Sequence, residues 1–446
     1  MLDRGARACR RSGRRPQVSG VKRWQWLGLA GLLVGAAAFR STQNMALTTF
    51  ALLAREQVGL GAAVIGAIAA GAAVATVATN LAVATRVPPR ASSLAAALGS
   101  LLLVPALILL GTSHQVGQLA AGAVLLGIGG GIVFPALTTA MGQVAREKRE
   151  RSLALFTLTL SGSLAVGPLV ESGILGASNQ NLRVPFLVFT ILPCLGAAAI
   201  LVLRGTGWYP PADNREPELP ELVEEGQALA VVAPTGSTAS PRRRFTPRGG
   251  PLAEPGWRIA VTGELLYAVP FAAITVFGAL LARSAFGVTP EQAQIGFTCF
   301  FATSLIARGT VAWRAPIRPK VPLLLGSAAT TMLGLLLLVT GHGFATLLLA
   351  MGILGLPHGV TFPIVLAQVA ESSPRAGLAR ANASLLAVSN SMSILVPALL
   401  GALIPATGYR GMALLLIAPV ALFASLLWWQ SRRATDAWRQ SAARMG

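Results

Sequence analysis

The sequence predicts an all-α polytopic membrane protein: two six-helix bundles related by internal duplication, with twelve transmembrane helices in all. Three observations carry this prediction. They are an apolar excess, a regular alternation of charge between apolar runs, and a single offset that superposes the two halves. Of 446 residues, 54% are hydrophobic and 12% charged, where a soluble chain carries about 25% charged residues. This excludes a soluble enzyme of one or two domains. It also excludes a disordered chain, which needs low hydrophobicity.

Twelve apolar runs follow in order: 26–54, 60–84, 91–111, 116–142, 152–176, 183–204, 257–282, 289–307, 321–340, 345–370, 376–404 and 410–430. Each is long enough for a bilayer crossing, which takes roughly 20 apolar residues. Prolines fall inside them, as at Pro105, Pro135, Pro168, Pro270, Pro363 and Pro397. Membrane helices tolerate proline because neighbouring groups re-satisfy the freed backbone. The alternating segments of about ten residues that mark a β-barrel are not seen.

The segments between the runs fix an orientation, because Lys and Arg gather on the cytoplasmic side. With the N-terminus inside, the inside segments hold 31 of the 36 basic residues, and each holds at least two. The outside loops hold only Arg55, Arg183, Arg283 and Arg410, and Arg40 lies within a run. One missed or invented helix would break the alternation. A cleaved secretory signal at Ala36-Ala37-Ala38 is disfavoured on that ground, since removing run one leaves eleven. The expected location is a bacterial cytoplasmic membrane, multi-pass, with both termini cytoplasmic. The net charge of +20 comes from these scattered segments, not from the clustered basic face of a nucleic-acid module. Arginine outnumbers lysine 33 to 3, which fits a GC-rich genome.

The domains expected are a basic tail (1–25), a first bundle (26–204), a cytoplasmic linker (205–256), a second bundle (257–430) and a tail (431–446). The linker is rich in Pro and Gly, acidic first (Glu216, Glu218, Glu221, Glu224, Glu225) and then basic (Arg242, Arg243, Arg244, Arg248). It reads as flexible, with room for a short amphipathic helix near 218–232.

A shift of 228 residues superposes the halves. LLAR at 52–55 meets LLAR at 280–283, and Gly59 meets Gly287. Arg86-x-Pro88-x-Arg90 meets Arg314-x-Pro316-x-Arg318, and His114 meets His342. Leu126-Gly127-x3-Gly131-x2-Phe134-Pro135 meets Leu354-Gly355-x3-Gly359-x2-Phe362-Pro363. With one extra residue, Pro168 meets Pro397. Leu and Ala matches arise by chance in such a chain, but Arg-x-Pro-x-Arg and Phe-Pro in one register do not.

With its two parallel six-helix repeats, inside termini and long central loop, the chain resembles the major facilitator superfamily. The family signature between helices two and three is close to G-x-L-A-D-R-x-G-R-K. Here Leu81 to Arg90 stand in that place: Arg86 and Arg90 match, while the Gly and Asp positions are Leu81 and Thr85. The resemblance implies a gating role for Arg86 and Arg90, and for Arg314 and Arg318 in the second repeat. Ser163-Leu164-Ala165-Val166-Gly167-Pro168 is similar to the G-x3-G-P core of family exporters. It gives Gly167 and Pro168 a gating role and favours efflux. Helix four carries Ala123 and Leu126 where family members couple protons through an Arg.

Charges inside a membrane span default to function, and three lie well inside: Arg40, Glu171 and Glu264. Arg40 is about 21 Å along run one at 1.5 Å per residue. It shares a face with Gln43, Asn44 and Leu47 by i, i+3, i+4 spacing. The resemblance makes helices one, four, seven and ten line the cavity, so this face, with Tyr267 and His358, is the expected substrate site. Arg40 favours an anionic group; its other reading is a structural ion pair, for which Glu171 is within reach. Glu264 is the expected ion-coupling residue and Glu171 the alternative. Gln143, Gln368, Asn382 and Asn390 are weaker candidates. Cys194 and Cys299 read as small core residues, and His114 and His342 as solvated loop residues.

The expected function is secondary active transport of a small molecule by alternating access: proton-coupled efflux, with sodium as the other ion. The alternatives are uptake of a small anionic metabolite and a non-transporting receptor on the same fold. An enzyme is not expected. All three Asp residues lie outside the runs, and no GxxxxGK[ST] or HExxH occurs. The partners expected are substrate, coupling ion and lipid, with no nucleic acid, cofactor or metal, and the chain is expected to act as a monomer. The topology is directly testable. A cysteine at Ser113 or Ser178 should react with an impermeant thiol reagent on intact cells, and one at Ser237 should not. The reverse pattern overturns the orientation.

Overall fold

The computed structural model describes residues 19–142, 149–205, 254–314, 318–373 and 378–443. The first bundle holds α1 (Ser19–Glu56), α2 (Ala62–Arg86), α3 (Ser92–Gly111), α4 (Val116–Gly142), α5 (Arg149–Ala177), α6 (Arg183–Val188) and α7 (Ile191–Gly205). The second holds α8 (Pro255–Phe286), α9 (Pro290–Trp313), α10 (Lys320–Thr340), α11 (Gly343–Ser372) and α12 (Leu378–Ala443). No strand occurs among the described residues. The tail 1–25 and the linker 205–256 lie largely outside them, as do the end of the C-terminal tail, the 218–232 segment and Gln143.

Ten segments among the described residues are long and apolar enough to cross a bilayer. This count departs from twelve at two places. The polar stretch Arg40–Asn44 makes α1 less apolar than the others. The last segment, Ala381–Arg433, is 53 residues long and breaks at Gly408 (φ 71, ψ 174). At 1.5 Å per residue it would reach about 80 Å if straight, more than twice a hydrocarbon core. Run six is itself split into α6 and α7, which together make one apolar segment, Arg183–Val202, long enough to cross.

The duplication recurs in contacts between atoms. Gly59 and Gly287 both adopt positive φ (77 and 65), the left-handed region that glycine enters without a Cβ penalty. A Cβ on Gly127 would strike the Ala72 carbonyl, and one on Gly131 the Thr76 carbonyl at 2.5 Å. In the second half, Gly355 and Gly359 would strike the carbonyls of Phe300 and Ser304. These contacts are related by the same 228-residue shift. Small residues of this kind let membrane helices close backbone to backbone: α4 on α2, and α11 on α9.

All four outside arginines are held in place, which explains their departure from the charge rule. Arg55 donates to the Leu60 carbonyl (3.3 Å) and Arg283 to that of Val288 (2.6 Å), again one repeat apart. Arg183 donates to the Ser113 carbonyl (3.1 Å) and Arg410 to that of Gly341 (2.8 Å), so the acceptors are repeat mates. Their guanidinium groups tie loop backbone that would otherwise rely on water.

Three expectations change. Ser113 is fully buried, so it is the wrong labelling position; exposed Asn179 beside Ser178 replaces it. Cys194 is exposed, not in the core, and Cys299 is partly buried. His114 is a partner of Arg183 at 2.9 Å rather than simply solvated.

The repeat glycines make a steric prediction. Gly355→Ala places a methyl group against the Phe300 carbonyl and Thr303, and should cost about 1–3 kcal/mol of stability. Gly71→Ala, which meets open space, is the control. Thermal unfolding in detergent that leaves Gly355→Ala level with Gly71→Ala would show that α9 and α11 do not close on this glycine.

Candidate functional site

The site begins at the junction of α1 and α5. Pro168 has no N–H, which deprives the carbonyl four residues earlier of its helical partner. That carbonyl belongs to Leu164, and Asn44 Nδ2 donates to it at 2.7 Å. Ser41 Oγ donates to the neighbouring Ser163 carbonyl at 3.3 Å. Gly167 allows the approach, since a Cβ there would lie 2.9 Å from the Ser41 carbonyl. Gly167 and Pro168 thus act inside the first bundle, where they seat α1.

With α1 seated, Arg40, Gln43, Asn44 and Leu47 face a cavity of about 730 Å³. Arg40 Nη1 contacts Gln43 Oε1 at 3.5 Å. The opposite wall brings Phe271 and Thr275 from α8 and Asn390 and Ser393 from α12. The α2 wall brings Thr76 and Asn80 and continues to Arg86 and Pro89. The cavity therefore runs from mid-helix α1 towards the end that carries both Arg-x-Pro-x-Arg junctions. Two arginines, Arg40 and Arg86, line it, and no acidic residue does so among the described residues.

At the end bearing Gly59 and Gly287, the halves are drawn together. A Cβ on Gly66 would strike the Pro397 carbonyl, and one on Gly401 that of Ala62 at 2.6 Å, so α2 and α12 meet backbone to backbone. Glu56 and Arg283 form an ion pair at 2.8 Å between α1 and α8. Gln180 Nε2 donates to Glu291 at 3.0 Å, and the Glu291 N–H returns a bond to Gln180 at 2.9 Å. Deeper in, Gln294 Nε2 of α9 donates to Thr49 Oγ1 at 3.2 Å, and Thr49 in turn donates to Glu171. All three side chains are fully buried.

Several expectations are relocated by this geometry. Glu171 does not reach Arg40; its partner Thr49 lies nine residues further along α1, about 13 Å by helical rise. Glu264 is fully buried and its oxygens meet no hydrogen-bond donor in good geometry, with Ser389 of α12 beside it. It is not among the cavity-lining residues. His358 is buried as well. Its Nδ1 lies 2.6 Å from Ser304 Oγ, and its ring sits among Tyr267 (5.2 Å), Phe271 (4.5 Å) and Phe300 (5.1 Å). Tyr267 and His358 thus stand behind Phe271, which lines the cavity while they do not.

Arg86 lies at the cavity mouth. Arg90, Arg314 and Arg318 are exposed at the same end. Glu371 of α11 pairs with Lys320 at 2.5 Å and lies 3.9 Å from Arg318. Asn390 lines the cavity, whereas Asn382 is buried. Sequence reasoning missed Arg308, which it placed among the cytoplasmic charges. Its Nη1 donates to Ser161 Oγ of α5 at 2.9 Å, across the halves. The repeat offset was the available signal, since Arg308 is the mate of Asn80.

A two-bundle helical fold closed at one end around a central cavity is that of a secondary transporter. The model of the Major Facilitator Superfamily matches residues 32–282 and 260–445, and the chain belongs to that family. No protein of curated function matches it. Among solved structures it is similar to the nucleoside transporter NupG, with TM-score 0.69 and 14% identity over 90% of this chain and 99% of that one. A bacterial homolog of the human lysosomal transporter Spinster, inward-facing and unoccupied, gives TM-score 0.69 and 12% identity over 92% and 98%. A peptide transporter, POT, in complex with alafosfalin gives 0.68 and 16% over 91% and 95%. At these identities the likeness is one of fold.

The closed end makes a charge-swap prediction. Glu56 and Arg283 are 31% and 35% exposed, so their pair is worth at most about 1 kcal/mol. Glu56→Arg should raise the labelling rate of a cysteine at Leu47, with reagent applied from the Gly59 side, by up to about fivefold. Arg283→Glu added to it should restore the original rate. A double variant that labels as fast as the single one would show that the pair does not hold this end shut.

Proposed function

We propose that this chain is a proton-coupled secondary transporter that exports a small organic anion across the cytoplasmic membrane by alternating access. The carrying observation is the charge of the cavity: Arg40 at its depth, Arg86 at its mouth and, among the described residues, no acid on its walls. Such a cavity concentrates anions and repels cations. Its apolar lining from α2 and α8 suits a substrate with a hydrophobic body, and Gln43, Asn44 and Asn390 supply directional hydrogen bonds. The positive-inside rule puts the Arg-x-Pro-x-Arg end in the cytoplasm, so this conformation is open to the inside. Arg86, Arg90, Arg314 and Arg318 then mark the inner gate. The Ser163–Pro168 motif at the α1–α5 junction favours export.

Coupling is assigned to Glu264. A carboxyl buried within the membrane with no hydrogen bond in good geometry marks a functional position, and it lies on α8, which supplies the second wall of the cavity. Proton gain and loss there would accompany exchange between the two open states. Glu171 instead belongs to the bridge that closes the outer end.

Reconstitution into liposomes tests both parts. Labelled organic anions should exchange across the membrane while cations of equal size do not, and Arg40→Gln should reduce the exchange at least tenfold. Cation exchange that survives Arg40→Gln would overturn the substrate class. Glu264→Gln should lose accumulation driven by an imposed ΔpH while keeping downhill exchange. Retained accumulation in that variant would remove Glu264 from the coupling step.

A further inference from the structure

Beyond the break at Gly408, α12 runs back across the molecule, and Arg410 fixes where it starts. Arg410 donates to the carbonyls of Val339 (2.8 Å), Ala285 (2.7 Å) and Gly341 (2.8 Å), at the end that bears Gly59 and Gly287. At 1.5 Å per residue, Trp428 and Trp429 lie about 27 Å further along, and Arg432 and Arg433 about 34 Å. A hydrocarbon core is about 30 Å thick. The rings therefore meet its far boundary, and the guanidinium groups pass it. Side chains at i and i+4 share a helix face, and here they form two parallel stacks. The Arg432 guanidinium carbon lies 3.8 Å from the Trp428 ring centre, and that of Arg433 3.8 Å from the Trp429 ring centre. Both rings are about half exposed, and both arginines are exposed. Their neighbours face inward: Leu427 is fully buried, and Gln430 Nε2 donates to Thr262 Oγ1 of α8 at 3.1 Å. The stacks thus point away from the bundle. Among the described residues, neither arginine forms an ion pair.

We infer that Trp428, Trp429, Arg432 and Arg433 form a binding site for the phosphate headgroup of an anionic phospholipid. The orientation proposed above makes this the cytoplasmic leaflet, but the site itself does not depend on which leaflet it meets. A guanidinium stacked on an indole is held by the ring face, and its N–H groups point outward in its own plane. That fork matches a phosphate bidentately, and lipid phosphate is the oxyanion at this depth. Indole rings prefer headgroup level, so the stacks keep the forks there. Charge then selects among lipids. A zwitterionic headgroup brings an ammonium, which two adjacent guanidinium groups repel. An anionic headgroup such as that of phosphatidylglycerol brings none, and each arginine beside it strengthens binding about fivefold. The bond from Gln430 to Thr262 passes this hold to α8, which supplies the second wall of the cavity.

The test is thermal unfolding of the purified full chain in detergent, titrated with phosphatidylglycerol, phosphatidylcholine and inorganic phosphate. Phosphatidylglycerol should stabilise the wild type at a concentration about tenfold or more below that needed with phosphatidylcholine. Inorganic phosphate at the same concentrations should have no effect, because it has no acyl chains to lie beside the rings. Arg432→Gln combined with Arg433→Gln should raise the phosphatidylglycerol requirement about tenfold or more and leave the response to phosphatidylcholine unchanged. Trp428→Leu combined with Trp429→Leu keeps the charge, loses the stacks and should give an intermediate loss. Arg432→Lys combined with Arg433→Lys keeps the charge and loses the fork. It should also weaken the response, and it carries the test should the glutamine variant not fold. If both arginine variants keep the wild-type response to phosphatidylglycerol, this site does not bind the lipid. A wild type that responds equally to phosphatidylcholine overturns the selection by charge. Stabilisation by inorganic phosphate to the same extent would mark a free-anion site instead. None of these outcomes touches anion exchange or Glu264, which the liposome measurements test separately.

Discussion

The hydrogen bond from Asn44 to the Leu164 carbonyl is the contact on which the site depends. A hydrocarbon core offers no water to a carbonyl that proline has released, so a side chain must take it. Pro168 releases it, Asn44 takes it at 2.7 Å, and Gly167 lets the two backbones come close enough. That single registration of α1 on α5 sets the rest. It turns Arg40 and Gln43 into the cavity, places Thr49 against Glu171, and puts Ser161 where an arginine of the other half can reach it.

The duplication supplies the frame, and its divergences supply the function. The Gly127–Ala72 and Gly355–Phe300 contacts, the Gly59 and Gly287 turns and the paired arginine staples are the same devices used twice. Function enters where mates differ. Gly130 leaves room for Gln43, whereas its mate His358 fills the space with an imidazole held by Ser304. Gly66 and Gln294 are also mates, and both help close the end that bears Gly59 and Gly287. Gly66 does it by letting α2 touch the Pro397 carbonyl, and Gln294 does it by bonding Thr49. One end is sealed by packing on one side and by hydrogen bonds on the other.

The buried polar groups divide by the partners they find. Glu171 lies within a chain of hydrogen-bonding side chains that crosses the halves, while Glu264 sits beside Ser389 without a well-formed bond. A satisfied network rigidifies what it joins, which suits closure. A carboxyl without one is costly to keep in a membrane and is retained where its chemistry is used. The two acids thus differ in their surroundings, although both are single glutamates inside apolar runs.

The sequence alone determined the class of fold and the repeat. These follow from quantities that are local or periodic: apolar run length, the sign of charge between runs, and one arithmetic offset. It also placed Arg40, Gln43 and Asn44 on one face, since helical spacing fixes that without tertiary contacts. Which partner each polar group takes was decided only in three dimensions. Glu171 met Thr49 instead of Arg40, Glu264 was closed off from the cavity, Tyr267 and His358 fell behind Phe271, and Arg308 joined the membrane interior. Those outcomes depend on the rotation and vertical register of one helix against another. A shift of one residue along a helix turns a side chain by about 100°, and only the packed bundle fixes that angle.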